Sequence, residues 1–347
     1  MRTLVISDLH IGQPGGTAVL ERQRPLEILV EALRDYDRLV LLGDTIELAE
    51  GHWSHSILTA APILRRLGRS IPKVVVLPGN HDHSLIEEWA HAQGQNLPRE
   101  AEVPLDASPR LRELTGWLAE GGAEVEVRYP GTWLADGVWA THGHYLNHFL
   151  RPISSFGRHP RQQRQCTATA MLPAEFEYIA HGERRLDLTE GLPPRRWHDG
   201  LIPQRLAPVI SWALDLQVRR HALPALAKAI GALGLAGDLE PSTAMASSGE
   251  PNTGTSEARG PGRPRAKYVI FGHIHRGGPR GLDNPREWQA GPGVQLLNTG
   301  SWRYEPVLAR GGNGDHPYWP GGAVELGEDG IPRAVNLLTA LSHGDLR

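Results

Sequence analysis

The stretch Thr3-Leu4-Val5-Ile6-Ser7-Asp8-Leu9-His10 governs the reading of this chain. Four residues of a short strand, mostly apolar and β-branched, run straight into an Asp-x-His pair. Side chains of extended backbone repeat with period two, so Asp8 and His10 leave the chain on one side. The same design recurs four times. Leu39-Val40-Leu41-Leu42 leads to Gly43-Asp44, and Val74-Val75-Val76-Leu77 leads to Gly79-Asn80-His81-Asp82. Val138-Trp139-Ala140 leads to His142-Gly143-His144, and Tyr268-Val269-Ile270-Phe271 leads to Gly272-His273-Ile274-His275. Neighbouring strand ends bring such loops together in space. Aspartate, asparagine and histidine are donors for a hard or borderline divalent cation. Burying so many carboxylates and imidazoles without a cation is costly. The pattern therefore implies an α/β chain that performs metal-dependent hydrolysis.

Working outward, residues 1 to about 90 alternate strand and helix patterns, the signature of a parallel or mixed sheet. Leu26, Leu29, Val30 and Leu33 recur at helical spacing, as do Ile57, Leu58, Ile63, Leu64 and Leu67, with Gly68 as a stop. A short helix is expected over Pro109–Glu120, then strands over Glu124–Tyr129 and Thr132–Ala140, the latter broken by an Asp136-Gly137 turn. Residues 150–236 lack strand patterns and carry 12 Lys and Arg against 7 Asp and Glu. There Leu206, Val209, Ile210, Leu214, Leu216 and Val218 predict an amphipathic helix that Leu223, Leu226, Ile230 and Leu233 continue, with Pro224 splitting it in two. Residues 237–266 are rich in Gly, Pro, Ser and Thr and read as a flexible linker. Strand patterns return at Tyr268–Phe271, Val294–Leu297, Ala323–Leu326 and Ala334–Leu338. The expected organisation is a core in two parts, 1–149 and 267–347, around a helical insertion at 150–236 that can act as a cap and the linker 237–266.

Composition bounds the partners. Over 347 residues, 40% are hydrophobic and 22% charged, ordinary for a globular protein. The net charge of −3 gives no strong nucleic-acid signal. A single cysteine, Cys166, excludes an intramolecular disulfide and fits a reducing compartment. The N-terminus leaves no room for a signal peptide, and no apolar run is long enough to span a membrane. A cytoplasmic location is expected, with peripheral membrane contact left open by the basic insertion and oligomeric state left open altogether.

In their order, these clusters resemble the calcineurin-like metallophosphoesterase superfamily, whose signature reads Asp-x-His, Gly-Asp, Gly-Asn-His-Asp/Glu, His and Gly-His-x-His. The resemblance covers roughly residues 1–145 and 267–303 and leaves out the insertion. It implies a four-layer sandwich of two mixed β-sheets flanked by helices. It also implies two divalent metal ions, one on Asp8, His10 and His275, the other on Asn80, His142 and His273, with Asp44 bridging both. Manganese is the first choice of metal, with iron, zinc or cobalt also compatible. Two such ions, about 3.5–4 Å apart, would share a hydroxide that attacks phosphorus in line. His81 would stabilise the transition state or protonate the leaving oxygen, and Asp82 could orient its ring. His144 falls in the second shell or near the substrate; the reverse assignment of His142 and His144 stays open.

The implied activity is hydrolysis of a phosphate ester or pyrophosphate bond in a phosphate-containing small molecule or lipid-linked substrate. Ser7–Gly12, Gly43–Glu47 and Asn298–Trp302 look similar to UDP-2,3-diacylglucosamine pyrophosphatases, which also carry a helical insert. That subgroup usually has Arg where His81 stands and Asp where His144 stands. A phosphoprotein phosphatase or a nuclease would use the same metals, and a scaffold with a vestigial site is the non-enzyme alternative. Glu47 is read equally as a helix-start carboxylate or a substrate contact. His52, His55 and His83 are read as surface or second-shell residues, and Arg24 and Arg303 as exposed or salt-bridged. Trp53 and Trp302 are the candidate pocket walls, and Arg195, Arg196, Arg219 and Arg220 are candidate cap arginines.

Overall fold

Leu4 and Val5 are both wholly buried yet point to opposite faces of their strand, which places that strand between two apolar layers. The computed structural model describes residues 1–50, 52–144, 212, 215–216, 218–232, 235, 265–291, 293–309 and 312–346. Its strands are β1 (Thr3–Ile6), β2 (Arg38–Leu42), β3 (Lys73–Leu77), β4 (Ala101–Glu102), β5 (Glu124–Tyr129), β6 (Gly131–Ala135), β7 (Val138–Thr141), β8 (Tyr268–Phe271), β9 (Gln295–Asn298), β10 (Gly322–Leu326) and β11 (Pro332–Asn336). They form a seven-stranded sheet in the order β11-β10-β1-β2-β3-β5-β4 and a four-stranded sheet in the order β6-β7-β8-β9. β1, β2, β3 and β5 run parallel to one another, as do β7, β8 and β9.

The strand alternation sorts the core into layers. Val5, Val40, Leu42, Val75 and Leu77 meet Leu134, Val138, Ala140, Ile270 and Leu297 between the sheets. Their neighbours Leu4, Ile6, Leu39, Leu41, Val74 and Val76 share the second cluster with the apolar faces of α1 (Gln23–Leu33), α2 (Trp53–Gly68) and α4 (Pro109–Glu120), while α3 (Glu87–Gln93) adds Ala90. Against the outer face of the small sheet, Val269, Phe271 and Leu296 belong with Leu223, Leu226 and Ile230 of α5 (Leu223–Ala232) and with Trp288. A last short helix, α6 (Pro306–Ala309), precedes β10. Helices, sheet, sheet and helices make the four layers expected.

Several local expectations hold. Gly68 ends α2, and α4 begins at Pro109 under a Ser108 cap whose Oγ accepts from the Leu111 amide at 3.0 Å. The Asp136-Gly137 turn separates β6 from β7, with Gly137 at φ 74°. Pro224 stands at the second position of α5, where its missing amide costs little, and a widened turn over Val218–Ala222 precedes the helix. The remainder of the insertion reading, nearly all of the linker, and Cys166, Arg195 and Arg196 lie outside the described residues.

Candidate metal centre

All the candidate residues stand beyond the carboxyl ends of parallel strands, where the backbone has left the sheet and open α/β folds gather ligands. Asp8 and His10 follow β1, Asp44 follows β2, and Asn80 to Asp82 follow β3. His142 follows β7, and His273 and His275 follow β8. Backbone bonds zip these loops together. The Asp8 amide donates to Gly43 O at 3.0 Å, His10 N to Asp44 O at 2.8 Å, and Gly272 N to His142 O at 3.0 Å. Asn298 buttresses the last turn, with Nδ2 donating to Gly272 O at 2.6 Å and Oδ1 accepting from Gly300 N at 2.8 Å.

Donor atoms of Asp8, His10 and His275 lie within 4.8 Å of one another, and so do those of Asp44, His142 and His273. Nε2 of His275 is 3.2 Å from Asp8 Oδ1 and 3.4 Å from Nε2 of His10. Nε2 of His142 is 3.1 Å from Asn80 Oδ1 and 3.2 Å from Asp44 Oδ2, and the latter oxygen is 3.7 Å from Nε2 of His10. Asp44 thus touches both groups. Donor atoms of His81 also fall within 4.8 Å of those of His10 and Asp44. His144 packs to one side, stacked on Tyr129 with ring centroids 6.3 Å apart and 5.6 Å from the His142 ring.

Backbone strain marks the same residues. Among the described residues, the non-glycine residues with positive φ are Asp8 (55°), His10 (46°), Asp44 (53°), His273 (68°) and His275 (55°). Each is a candidate ligand. Left-handed backbone at a side-chain-bearing residue costs on the order of 1–3 kcal/mol and persists where function requires it. Gly43, at φ 89°, serves a different end: a Cβ there would come within 2.2 Å of Nδ1 of His142.

The electrostatics follow from packing buried carboxylates against buried imidazoles. Burial pushes Asp8 up, but His275 overrides it and holds the carboxyl below its ordinary value. Asp44 is likewise held well below, with His142 and His81 outweighing burial. Burial pulls His142 down, yet Asp44 raises it to about 9. Its Nδ1 donates to Leu42 O at 2.8 Å, leaving Nε2 to face the oxygens of Asp44 and Asn80. Burial and the neighbouring His142 hold His144 well below its ordinary value.

Two carboxylates near the His81 ring make different contacts. Both carboxylate oxygens of Asp82 accept backbone amides, from Gly79 at 2.6 Å, Thr45 at 2.7 Å and Asp44 at 3.3 Å. Burial, then the Asp44 charge, raise its pKa to about 6. Asp82 organises loops, and the carboxylate that meets the His81 ring is Glu47. Its Oε2 is 2.8 Å from Nδ1 of His81 and 3.1 Å from Nδ1 of His10, while Oε1 accepts the Ala49 and Glu50 amides, both at 2.9 Å. Glu47 has no exposed surface. His10 and His81 hold it below the usual carboxylate range against the opposing effect of burial. Its position three residues after Asp44 was the available signal, but spacing alone does not reveal burial.

The remaining expectations divide. His52, His55 and Arg24 are exposed, as expected, and His83 is buried beside Tyr129 at 5.9 Å. Arg303 is buried and pairs with Glu305 at 3.1 Å. Trp302 is wholly buried with Nε1 donating to Gly322 O, so it belongs to the core and not to a pocket wall. Trp53 lies under the Arg110 guanidinium at 4.8 Å. Arg219 is ion-paired to Asp215 and Glu287 and is no free cap arginine.

No curated protein sequence matches the chain. Among solved structures, the crystal structure of a dimetal phosphatase from Danio rerio is similar at 13% identity, over 97% of this chain and 99% of that one. Its TM-score of 0.35 is too low to bear on the argument. A sequence model described as calcineurin-like phosphoesterase matches residues 1–180, just over half the chain. No helix among the described residues is long and apolar enough to cross a membrane. The gathered donors agree with that match, and the chain belongs to the calcineurin-like phosphoesterases, metal-dependent hydrolases of phosphate esters.

Proposed function

We propose that the chain hydrolyses a phosphate ester or pyrophosphate bond with two divalent cations. One would be held by Asp8, His10 and His275, the other by Asn80, His142 and His273, with Asp44 shared. The observation that carries this reading is Asp44 Oδ2, which is 3.2 Å from Nε2 of His142 and 3.7 Å from Nε2 of His10. The donor set suits the ions: nitrogen and oxygen only, with the donor atoms of Asp8, His10 and His275, and those of Asp44, His142 and His273, within 4.8 Å of one another. When bound, such ions acidify water and neutralise charge on phosphoryl oxygens.

The protein's own part follows from its contacts. Glu47 fixes the rings of His10 and His81 through their Nδ1 atoms, so each presents Nε2 to the site. His81, with Nδ1–H held by a carboxylate, can keep a proton on Nε2 for the oxygen of the departing group. Asp82 ties the loops after β2 and β3, and so keeps Asp44 and Asn80 in register. His144 stands beside His142 against Tyr129, a wall or second-layer position.

The substrate is proposed to be a phosphate-containing small molecule or lipid-linked phosphate, the metal manganese before iron, zinc or cobalt, and the compartment the cytoplasm. Support for the last is the single cysteine. Elemental analysis of the purified chain, combined with a panel of aryl monoesters, diesters and pyrophosphates, tests the reading. Two metals per chain and a clear preference for one bond type are expected. Metal-loaded protein inert on every member would overturn it.

A further inference from the structure

The loop that closes β9, Asn298-Thr299-Gly300-Ser301, supplies no candidate ligand, yet it bonds to Asp8 and to the residue before it. Ser301 Oγ donates to Asp8 O at 3.1 Å, and the Trp302 amide donates to the same oxygen at 3.0 Å. Thr299 reaches one residue further back. Its Oγ1 lies 2.5 Å from Oγ of Ser7, and Ser7 Oγ donates to Oδ2 of Asp8. Both hydroxyls are buried. Ser7 follows β1 of the seven-stranded sheet, and Thr299 follows β9 of the four-stranded sheet, 292 positions later. Gly272 makes room where they meet: a Cβ there would fall 2.3 Å from Ser7 Oγ and 2.7 Å from Asp8 Oδ2.

Only one arrangement of hydrogens satisfies this row of oxygens. Each hydroxyl has one hydrogen to donate, and an ionised carboxylate only accepts. If Ser7 gave its hydrogen to Thr299, the oxygens of Ser7 and Asp8 would face each other with lone pairs alone. The order that satisfies both close contacts runs from Thr299 to Ser7 to Asp8. The competing acceptors are farther off, Phe271 O at 3.3 Å from Thr299 Oγ1 and Gly300 O at 3.4 Å from Ser7 Oγ. The Thr299 hydrogen thus occupies a lone pair of Ser7 and aims the Ser7 hydrogen at Asp8. At the carboxylate this distinguishes the two oxygens. The His273 amide donates to both, at 3.0 Å to Oδ2 and 3.2 Å to Oδ1, but only Oδ2 takes the hydroxyl. Oδ1 faces Nε2 of His275 at 3.2 Å.

We propose that Thr299 is a positioning residue for the metal centre. Acting through Ser7, it fixes the Asp8 carboxylate with Oδ1 towards His275, and so sets how tightly the cation on that side is held. A loop of the small sheet thereby orients a ligand carried by the large one. This rests on the reading of Asp8 as a metal ligand in the proposed function.

The test titrates full-length, chelator-stripped chains with manganese alone and follows uptake by calorimetry. Thr299→Val keeps the shape and loses the hydroxyl, and it is expected to weaken manganese binding about tenfold, as loss of a partner behind a ligand does. Thr299→Ser should restore the affinity. Ser7→Ala should weaken binding at least as much, and adding Thr299→Val to it should change nothing further, because the path to Asp8 is already cut. Wild-type affinity in Thr299→Val overturns the proposal. So does a loss of equal size with and without the Ser7 hydroxyl, which is what altered packing alone would give. If Thr299→Val does not fold, Ser7→Ala decides, and wild-type affinity there overturns the proposal as well. Wild type that binds manganese but hydrolyses no phosphate ester would count against the phosphoesterase reading and leave this one standing. Wild type that takes up no manganese overturns both.

Discussion

Oε2 of Glu47 lies 2.8 Å from Nδ1 of His81 and thereby links that ring to His10, which the same oxygen meets at 3.1 Å. One carboxylate orients a candidate metal ligand and a candidate proton donor together. Glu47→Gln keeps the size but can no longer accept from both rings and both amides. Loss of a second-layer partner of this kind costs about 10–100-fold in metal affinity or activity. Both are expected to fall, kcat and occupancy of the site on Asp8, His10 and His275. Steady-state kinetics with metal analysis checks this; unchanged kcat would leave Glu47 a purely structural residue.

Asp44→Asn removes the charge shared by both donor groups. Hydrolysis of an aryl phosphodiester should be abolished and the metal content reduced. His81→Gln, by contrast, should keep the metals and lose kcat by about 10²–10⁴-fold. If the two variants lost metal to the same extent, His81 would have to be counted among the ligands.

The pH dependence of metal uptake follows from His142. Burial opposes its charge, but Asp44 raises its pKa to about 9. A histidine raised in this way supports the metal-free fold fully below its ordinary value near 6.5, and that support is lost as pH rises through about 9. An incoming cation must displace the same proton, so apparent affinity should climb with pH up to about 9. Calorimetric titration of chelator-stripped protein in buffers of different ionisation enthalpy counts the protons released. Uptake that releases none would refute the assignment.

Gly43→Ala should weaken both fold and site. The residue sits at φ 89°, and its new Cβ would fall 2.2 Å from Nδ1 of His142. A stability loss on the order of 1–3 kcal/mol is expected, with reduced metal content as His142 is displaced from its bond to Leu42 O. Thermal unfolding and elemental analysis read the two effects separately, and a variant with wild-type values for both would contradict the structure.

Much of this was legible in the sequence because strand ends impose order on chemistry. The run Thr3–Ile6 announces a strand buried on both faces, and Asp8 and His10 follow from period two. The short helix expected over Pro109–Glu120 is α4, and its Ser108 cap was a signal the sequence reading did not use. Glu47 was not legible, since a carboxylate near a loop is usually solvated and only the tertiary approach of His10 and His81 buries it. Trp302 misled for a related reason: standing beside a motif loop says nothing about which way an indole faces. The bond from Arg276 to Asp215 was out of reach because a contact between residues 61 apart leaves no local pattern.

The five left-handed candidate ligands carry a consequence for how this chain can be engineered. At Asp8, His10, Asp44, His273 and His275 the backbone is one that glycine adopts without penalty. Stripped of metal, a His273→Gly chain should therefore melt at a higher temperature than His273→Ala, although both have lost the same donor. Thermostability would then be gained most readily by erasing the candidate ligands themselves. Selection for a tougher scaffold and selection for turnover pull on the same five dihedral angles, in opposite directions.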